Sequence, residues 1–140
     1  MSKLTTADYP LAETQASKIS GKRGMVLDDV TLAAVLAGDV TMADLQITPA
    51  SLQKQAEISA DAGRGALALN FARAAELVDV PQEVIMSTYE LLRPGRAKSR
   101  QELEDRATLL RETYGADAIA DFIREAAAIY AARGMFTRRY

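Results

Sequence analysis

The chain predicts an all-α fold: a compact multi-helix protein with an extended N-terminal arm. Three observations carry that prediction. Beyond residue 25, apolar side chains recur at three- and four-residue spacing over most of the chain. Residue types that start and stop helices follow one another in close order from Asp28 to Gly134. No segment of strand length alternates strictly between apolar and polar, and no Asn-Gly or Asp-Gly hairpin pair occurs. There is no internal repeat and no low-complexity tract.

The sequence divides into an arm, residues 1–24, and a helical domain, residues 25–140. The arm is polar, holds Gly21 and Gly24, and offers Tyr9, Leu11 and Ile19 as apolar anchors. Pro10 disfavours helix at Tyr9, so the DYPLA stretch at 8–12 is expected to be non-helical. So sparse a set of anchors gains little on the chain's own core and more along a partner.

In the domain, Asp28 or Asp29 is expected to cap a short helix that stops at Gly38. Thr41 begins a shorter turn through Leu45. Thr48 and Pro49 supply a hydroxyl cap and a first-turn proline for a helix reaching about Ala62, with Leu52, Ala56 and Ser59 along one side. Gly63-Arg64-Gly65 predicts a break, since two glycines cost a helix roughly 2 kcal/mol against alanine.

Leu67, Phe71, Ala74, Ala75 and Val78 then form one stripe of a helix containing Asn70 to Val78. Val84, Ile85, Tyr89 and Leu92 form another between Pro81 and Leu92, where Pro94 and Gly95 end it. Ser99 with Glu102 is a capping-box pair for a helix through Tyr114, with Leu103, Ala107 and Leu110 inward and Gly115 as the stop. The last helix, Asp117 to Arg133, is expected to bury Ile119, Phe122, Ile123, Ala126, Ile129 and Tyr130. Gly134 stops it, and the tail MFTRRY is expected to fray.

Composition excludes more chemistry than it suggests. At 140 residues the chain is one domain's worth, small enough to gain from a partner. It has no cysteine, which removes disulfides, thiolate nucleophiles and cysteine metal sites. Histidine is also missing, and with it the commonest general base and metal ligand. The longest apolar run, Ala126 to Ala132, falls far short of the roughly 18 residues of a membrane span. The N-terminus lacks the apolar core of a secretory signal, so the default location is cytoplasmic.

Charge is uneven. Residues 25–92 carry three basic and ten acidic side chains, and residues 93–140 carry ten and seven. Arg93, Arg96, Lys98 and Arg100 cluster, but without interleaved aromatics and with Glu102, Glu104 and Asp105 directly after them. That pattern reads as a solvated loop entering a helix before it reads as a nucleic-acid patch.

Other motifs weaken on the same scrutiny. Asp28 and Asp29 read as caps before they read as a carboxylate pair. Gly63-Arg64-Gly65 lacks the preceding strand and the longer glycine pattern of a phosphate loop. Arg73 and Glu76, three apart, form a surface ion pair or, on the sharper reading, a pair between subunits.

Taken together, DYPLA at 8–12, LDDVTLAAVLAG at 27–38, LQITPASLQKQAEISADAGR at 45–64, NFARAAEL with VP at 70–81, LRP at 92–94 and FIREAAAIYAAR at 122–133 closely resemble the small subunit of the coenzyme B12-dependent diol and glycerol dehydratases. No piece is a catalytic signature; their order and spacing carry the resemblance. After Pro94 this chain has Gly95-Arg96 where the family usually places an aromatic and then arginine.

The resemblance implies a non-catalytic subunit in a dimer of heterotrimers with large and medium subunits, and no nucleic-acid or membrane partner. It implies that adenosylcobalamin and a metal ion are bound by those other subunits, with no catalytic, cofactor or metal residue here. The implied reaction is the radical elimination of water from propane-1,2-diol to give an aldehyde, with glycerol as the alternative substrate. Tyr9, Leu11, Arg73, Glu76 and Arg93 are the candidate interface residues. The chain begins a few residues before DYPLA, without the longer extension of some diol dehydratase small subunits, which leaves encapsulation through this subunit open, as it leaves a bacterial microcompartment open as a location. The competing classes are a free-standing helical adaptor or nucleic-acid binder, resting on the segment near Arg96, and a small carboxylate-based enzyme.

Overall fold

The computed structural model describes residues 3–136. Among them every extended element is helical, and the one strand-like feature is an isolated antiparallel bridge between Ser20 and Val26. The α-helices are α1 (Leu11–Thr14), α2 (Leu32–Ala37), α3 (Met42–Leu45), α4 (Pro49–Asp61), α5 (Gly65–Leu77), α6 (Gln82–Leu92), α7 (Arg100–Tyr114) and α8 (Asp117–Arg133). Short 3-10 turns at Thr6–Asp8, Ala16–Lys18 and Leu27–Asp29 punctuate the N-terminal part. Contacts group the chain into two units, Met1–Val78 and Asp79–Tyr140.

The first unit is built on the α4–α5 hairpin. Thr48 Oγ1 accepts from the Ser51 amide at 3.2 Å, and Pro49 occupies the first turn, where a missing N–H costs nothing. Leu52, Ala56 and Ser59 are buried as their spacing predicts, together with Ile58. Gly63, at φ +73°, makes the expected break, and α5 begins two residues later. The α5 stripe is only partly covered: Phe71, Ala74, Ala75 and Val78 are half-buried and Leu67 is exposed.

Two local expectations are corrected in this unit. Leu11 and Ala12 of DYPLA start the single helical turn α1, although Tyr9 is extended as Pro10 demands. Asp28 and Asp29 do not cap α2. They lie in a 3-10 turn, and Thr31, whose backbone is extended as a cap requires, accepts from the Ala34 amide at 3.2 Å instead. Gly38 ends α2 in the left-handed region, as expected.

In the second unit α7 and α8 form a helical hairpin. Ser99 Oγ caps α7 by accepting from the Glu102 amide, while the Glu102 carboxylate reaches Lys98 N at 2.7 Å, one residue before the cap. Leu103, Ala107 and Leu110 are fully buried. Against them α8 sets Ala120, Ile123 and Ala127, preceded by the buried Ala116. This shifts the predicted α8 stripe: Phe122 and Ile129 are exposed. Small side chains on the facing row let the two backbones approach, and the bulkier residues are displaced to the flanks.

Ion pairs fix the hairpin register. Arg111 meets Asp117 at 2.8 Å and Asp121 at 2.6 Å, and Arg124 meets Glu104 at 3.4 Å. Arg106 donates to Ser87 Oγ at 2.8 Å, tying α7 to α6. Tyr89 is exposed on α6, so it leaves the predicted stripe; Thr88 is buried instead, its hydroxyl donating to the Val84 carbonyl at 2.7 Å. The Tyr130 hydroxyl donates to the Leu92 carbonyl, and the Phe136 ring meets Tyr130 edge-on. Met135 and Phe136 therefore close α8 and are not frayed; the rest of the expected fray, residues 137–140, lies outside the described residues.

Leu103→Ala and Ile123→Ala should each lower unfolding free energy by roughly 2–5 kcal/mol, because both remove fully buried aliphatic volume. Phe122→Ala should cost less than either in the isolated chain, because its ring is 40% exposed. Urea unfolding followed by circular dichroism reads all three.

Candidate functional site

No three His, Cys, Asp or Glu side chains among the described residues converge in a way that could hold a metal ion. The candidate site is an open surface. One concave part of it lies in the first unit, where residues 3–24 run over α4. Leu4 N donates to the Glu57 carboxylate at 2.9 Å. Thr6 donates twice to Asp61 Oδ2, from N at 2.7 Å and from Oγ1 at 2.9 Å. Lys54 Nζ closes the other end on the Lys18 carbonyl at 2.6 Å. Between these ties an open groove of roughly 760 Å³ remains, with Tyr9, Leu11, Ile19, Ile58, Leu67 and Phe71 among its walls.

The predicted site residues fall into three places. Tyr9 and Leu11 come together on the groove, Tyr9 being 72% exposed. Arg73 and Glu76 are half-buried on α5, and each is engaged in a polar or electrostatic interaction. Arg93 belongs to the second unit, where it pairs with Glu90 at 3.0 Å. Its neighbours are also paired: Arg96 with Glu90 at 2.9 Å and Arg100 with Glu104 at 3.1 Å. The basic cluster therefore presents less free charge than its sequence suggests.

Asp44 organises the other side of the first unit. Its buried carboxylate accepts from Thr41 N at 2.8 Å, Thr41 Oγ1 at 2.9 Å and Arg23 Nε at 3.0 Å. Arg23 also donates to the Asp39 carbonyl at 2.8 Å. Gly21 runs so close that a Cβ there would lie 2.5 Å from the Asp44 carbonyl oxygen. The Thr41 amide, above all, holds the Asp44 carboxyl below the usual carboxylate range. The Thr5 amide does the same for Asp8, and the Thr6 amide for Asp61.

Sequence reasoning missed the row that α2 and α3 carry. Leu32, Leu36 and Met42 are 74%, 79% and 73% exposed, and Val35, Leu45 and Ile47 lie open beside them. Helical spacing alone suggests that such residues face inward; the short length of α2 and α3 was the available signal that they lack a core to face.

Fold and surface together define an all-α chain whose first unit carries an open, mostly apolar groove and a row of exposed apolar side chains. The chain belongs to the dehydratase small subunit family, whose model matches residues 4–137. It is 47% identical over 126 residues to the propanediol dehydratase small subunit of Citrobacter freundii, covering 90% of this chain and 73% of that one. To the propanediol dehydratase small subunit of Salmonella typhimurium it is 45% identical over 127 residues, covering 91% and 73%. No helix among the described residues is long and apolar enough to cross a membrane.

Two predictions follow from the polar ties. Asp8, Asp44 and Asp61 have folded pKa values below their ordinary 3.8, so the stability they add is complete above that value and is lost as pH falls through the lower folded values. Denaturation midpoints should be level from pH 7 to 5 and drop from about pH 4 downward, and Asp44→Asn should make that acid limb shallower. Separately, Gly21→Ala should destabilise the chain by roughly 1–3 kcal/mol through overpacking against the Asp44 backbone, read as a lower urea midpoint at pH 7.

Proposed function

We propose that this chain is the non-catalytic small subunit of an adenosylcobalamin-dependent propane-1,2-diol dehydratase, a lyase that eliminates water from 1,2-diols to give aldehydes. The observation that carries the reading is the family match over residues 4–137, together with two relatives named for propanediol dehydratase. Neither of those names favours glycerol as the substrate. The partners in this reading are a large and a medium subunit, joined with this chain as a dimer of heterotrimers, in the cytoplasm.

The residues of this chain do not fit the cofactor or the metal ion that such an enzyme uses. There is no imidazole or thiolate to ligate cobalt or another metal. No cluster of three carboxylates among the described residues substitutes for them. The groove walls are mostly aliphatic and aromatic, suited to another protein's side chains. On this reading both groups are bound by the partner subunits, and the role of this chain is structural. Tyr9 and Leu11 on the groove, Arg73 and Glu76 on α5, and Arg93 are proposed contacts with those partners, and residues 1–24 the arm that reaches them.

Purified alone, the chain should give no aldehyde from propane-1,2-diol and adenosylcobalamin. Co-expressed with the large and medium subunits, it should restore turnover that is lost when it is omitted. Coenzyme-dependent turnover by the isolated chain, or full activity of the other two subunits without it, would contradict the reading.

A further inference from the structure

The α2–α3 stretch has a composition and a placement that its own chain does not use. Neither helix buries an apolar side chain; Asp44 is the buried residue of the pair. Helices of six and four residues do not persist on propensity alone. Here the Thr31 and Thr41 caps, Gly38 and the Arg23–Asp44 pair hold them. The result is a fixed backbone that turns Leu32, Val35, Leu36, Met42, Leu45 and Ile47 outward within sixteen residues. So dense an exposed apolar row marks an interaction surface.

Charge identifies the kind of occupant. No Lys or Arg occurs from Gly24 to Gln53, and Arg23, the cation packed against this stretch, is paired with the buried Asp44, while Asp28, Asp29 and Asp39 are exposed. Two copies meeting through this face would bring two acidic surfaces together, which opposes self-association. An occupant with an apolar depression and a rim of lysine or arginine is complementary on both counts. Leu27, five residues before the row, lines the groove that holds Tyr9 and Leu11, so the two surfaces are linked along the chain.

We propose that residues 27–47 form the docking surface by which this chain is held on a dehydratase partner subunit, inserting the α2–α3 row into an apolar depression with a cationic rim. The proposal rests on the subunit reading given above. It adds the face, the anchoring residues and the electrostatic character of the seat.

The test is co-purification of the full-length chain with tagged large and medium subunits, at low and at moderate salt. Leu36→Asp with Met42→Asp should lower retention at least tenfold, with the circular dichroism of the isolated variant unchanged. Asp28→Lys with Asp29→Lys should weaken retention at low salt and flatten its salt dependence. A second measurement needs no variant: peroxide should oxidise Met42 in the free chain and do so at least tenfold more slowly in the complex. Wild-type retention with undiminished variants and an unprotected Met42 would overturn the docking face but leave the subunit reading standing. Absence of wild-type retention would overturn both. Self-association of the isolated chain that Leu36→Asp abolishes would overturn the heterologous occupant in favour of a second copy.

Discussion

The Asp44 carboxylate, with three donors converging on it from Thr41 and Arg23, is the constraint on which the outer face of the first unit depends. It starts α3 by satisfying an amide that no helical carbonyl can reach. Through Arg23 it also fixes the turn around Gly21 and the Asp39 carbonyl that follows α2. A buried carboxylate is tolerable only when its acceptor sites are filled, and here they are filled by donors from both flanks. Because polar ties hold this part together, its apolar side chains are left over. Hydrophobic collapse would have consumed them.

The two units solve the folding problem differently. In the second, Ala107, Ala116, Ala120 and Ala127 bring α7 and α8 close around Leu103, Leu110 and Ile123, with the buried Val80 and Ala97 adding to that core. In the first, the buried apolar residues are Leu52, Ala56 and Ile58, a thin core for so many residues. The exposed large apolar side chains concentrate in the same unit, along α2, α3 and the N-terminal groove. Apolar area kept outside suits a chain that is one subunit of an assembly.

Much of the fold was legible because its boundaries are local. Thr48-Pro49, Gly63, Ser99, Gly115 and Gly134 set helix ends through their own backbone preferences, and the structure places ends there. The buried row of α7 was legible because it has a single apolar face. The row of α8 was not: alanines and large residues share that helix, and periodicity does not reveal that the alanines face inward where backbones meet. The cap at Thr31 was obscured by two adjacent aspartates that are equally good caps by residue type. Of the candidate surface, Tyr9 and Leu11 could be chosen as anchors on a polar stretch, but the α2–α3 row could not. Its outward direction follows from long-range hydrogen bonds between Arg23, Asp39 and Asp44 that no local pattern encodes.

If the first unit keeps its apolar side chains for a partner subunit while the second supplies its own core, amide hydrogen exchange of the chain, free and within the reconstituted complex, should show it. Amides of residues 27–47 should gain strong protection on assembly, while those of α7 around Leu103 and Leu110 should already be protected in the free chain and change little. Unchanged exchange across 27–47, or protection gained chiefly in α7, would contradict it.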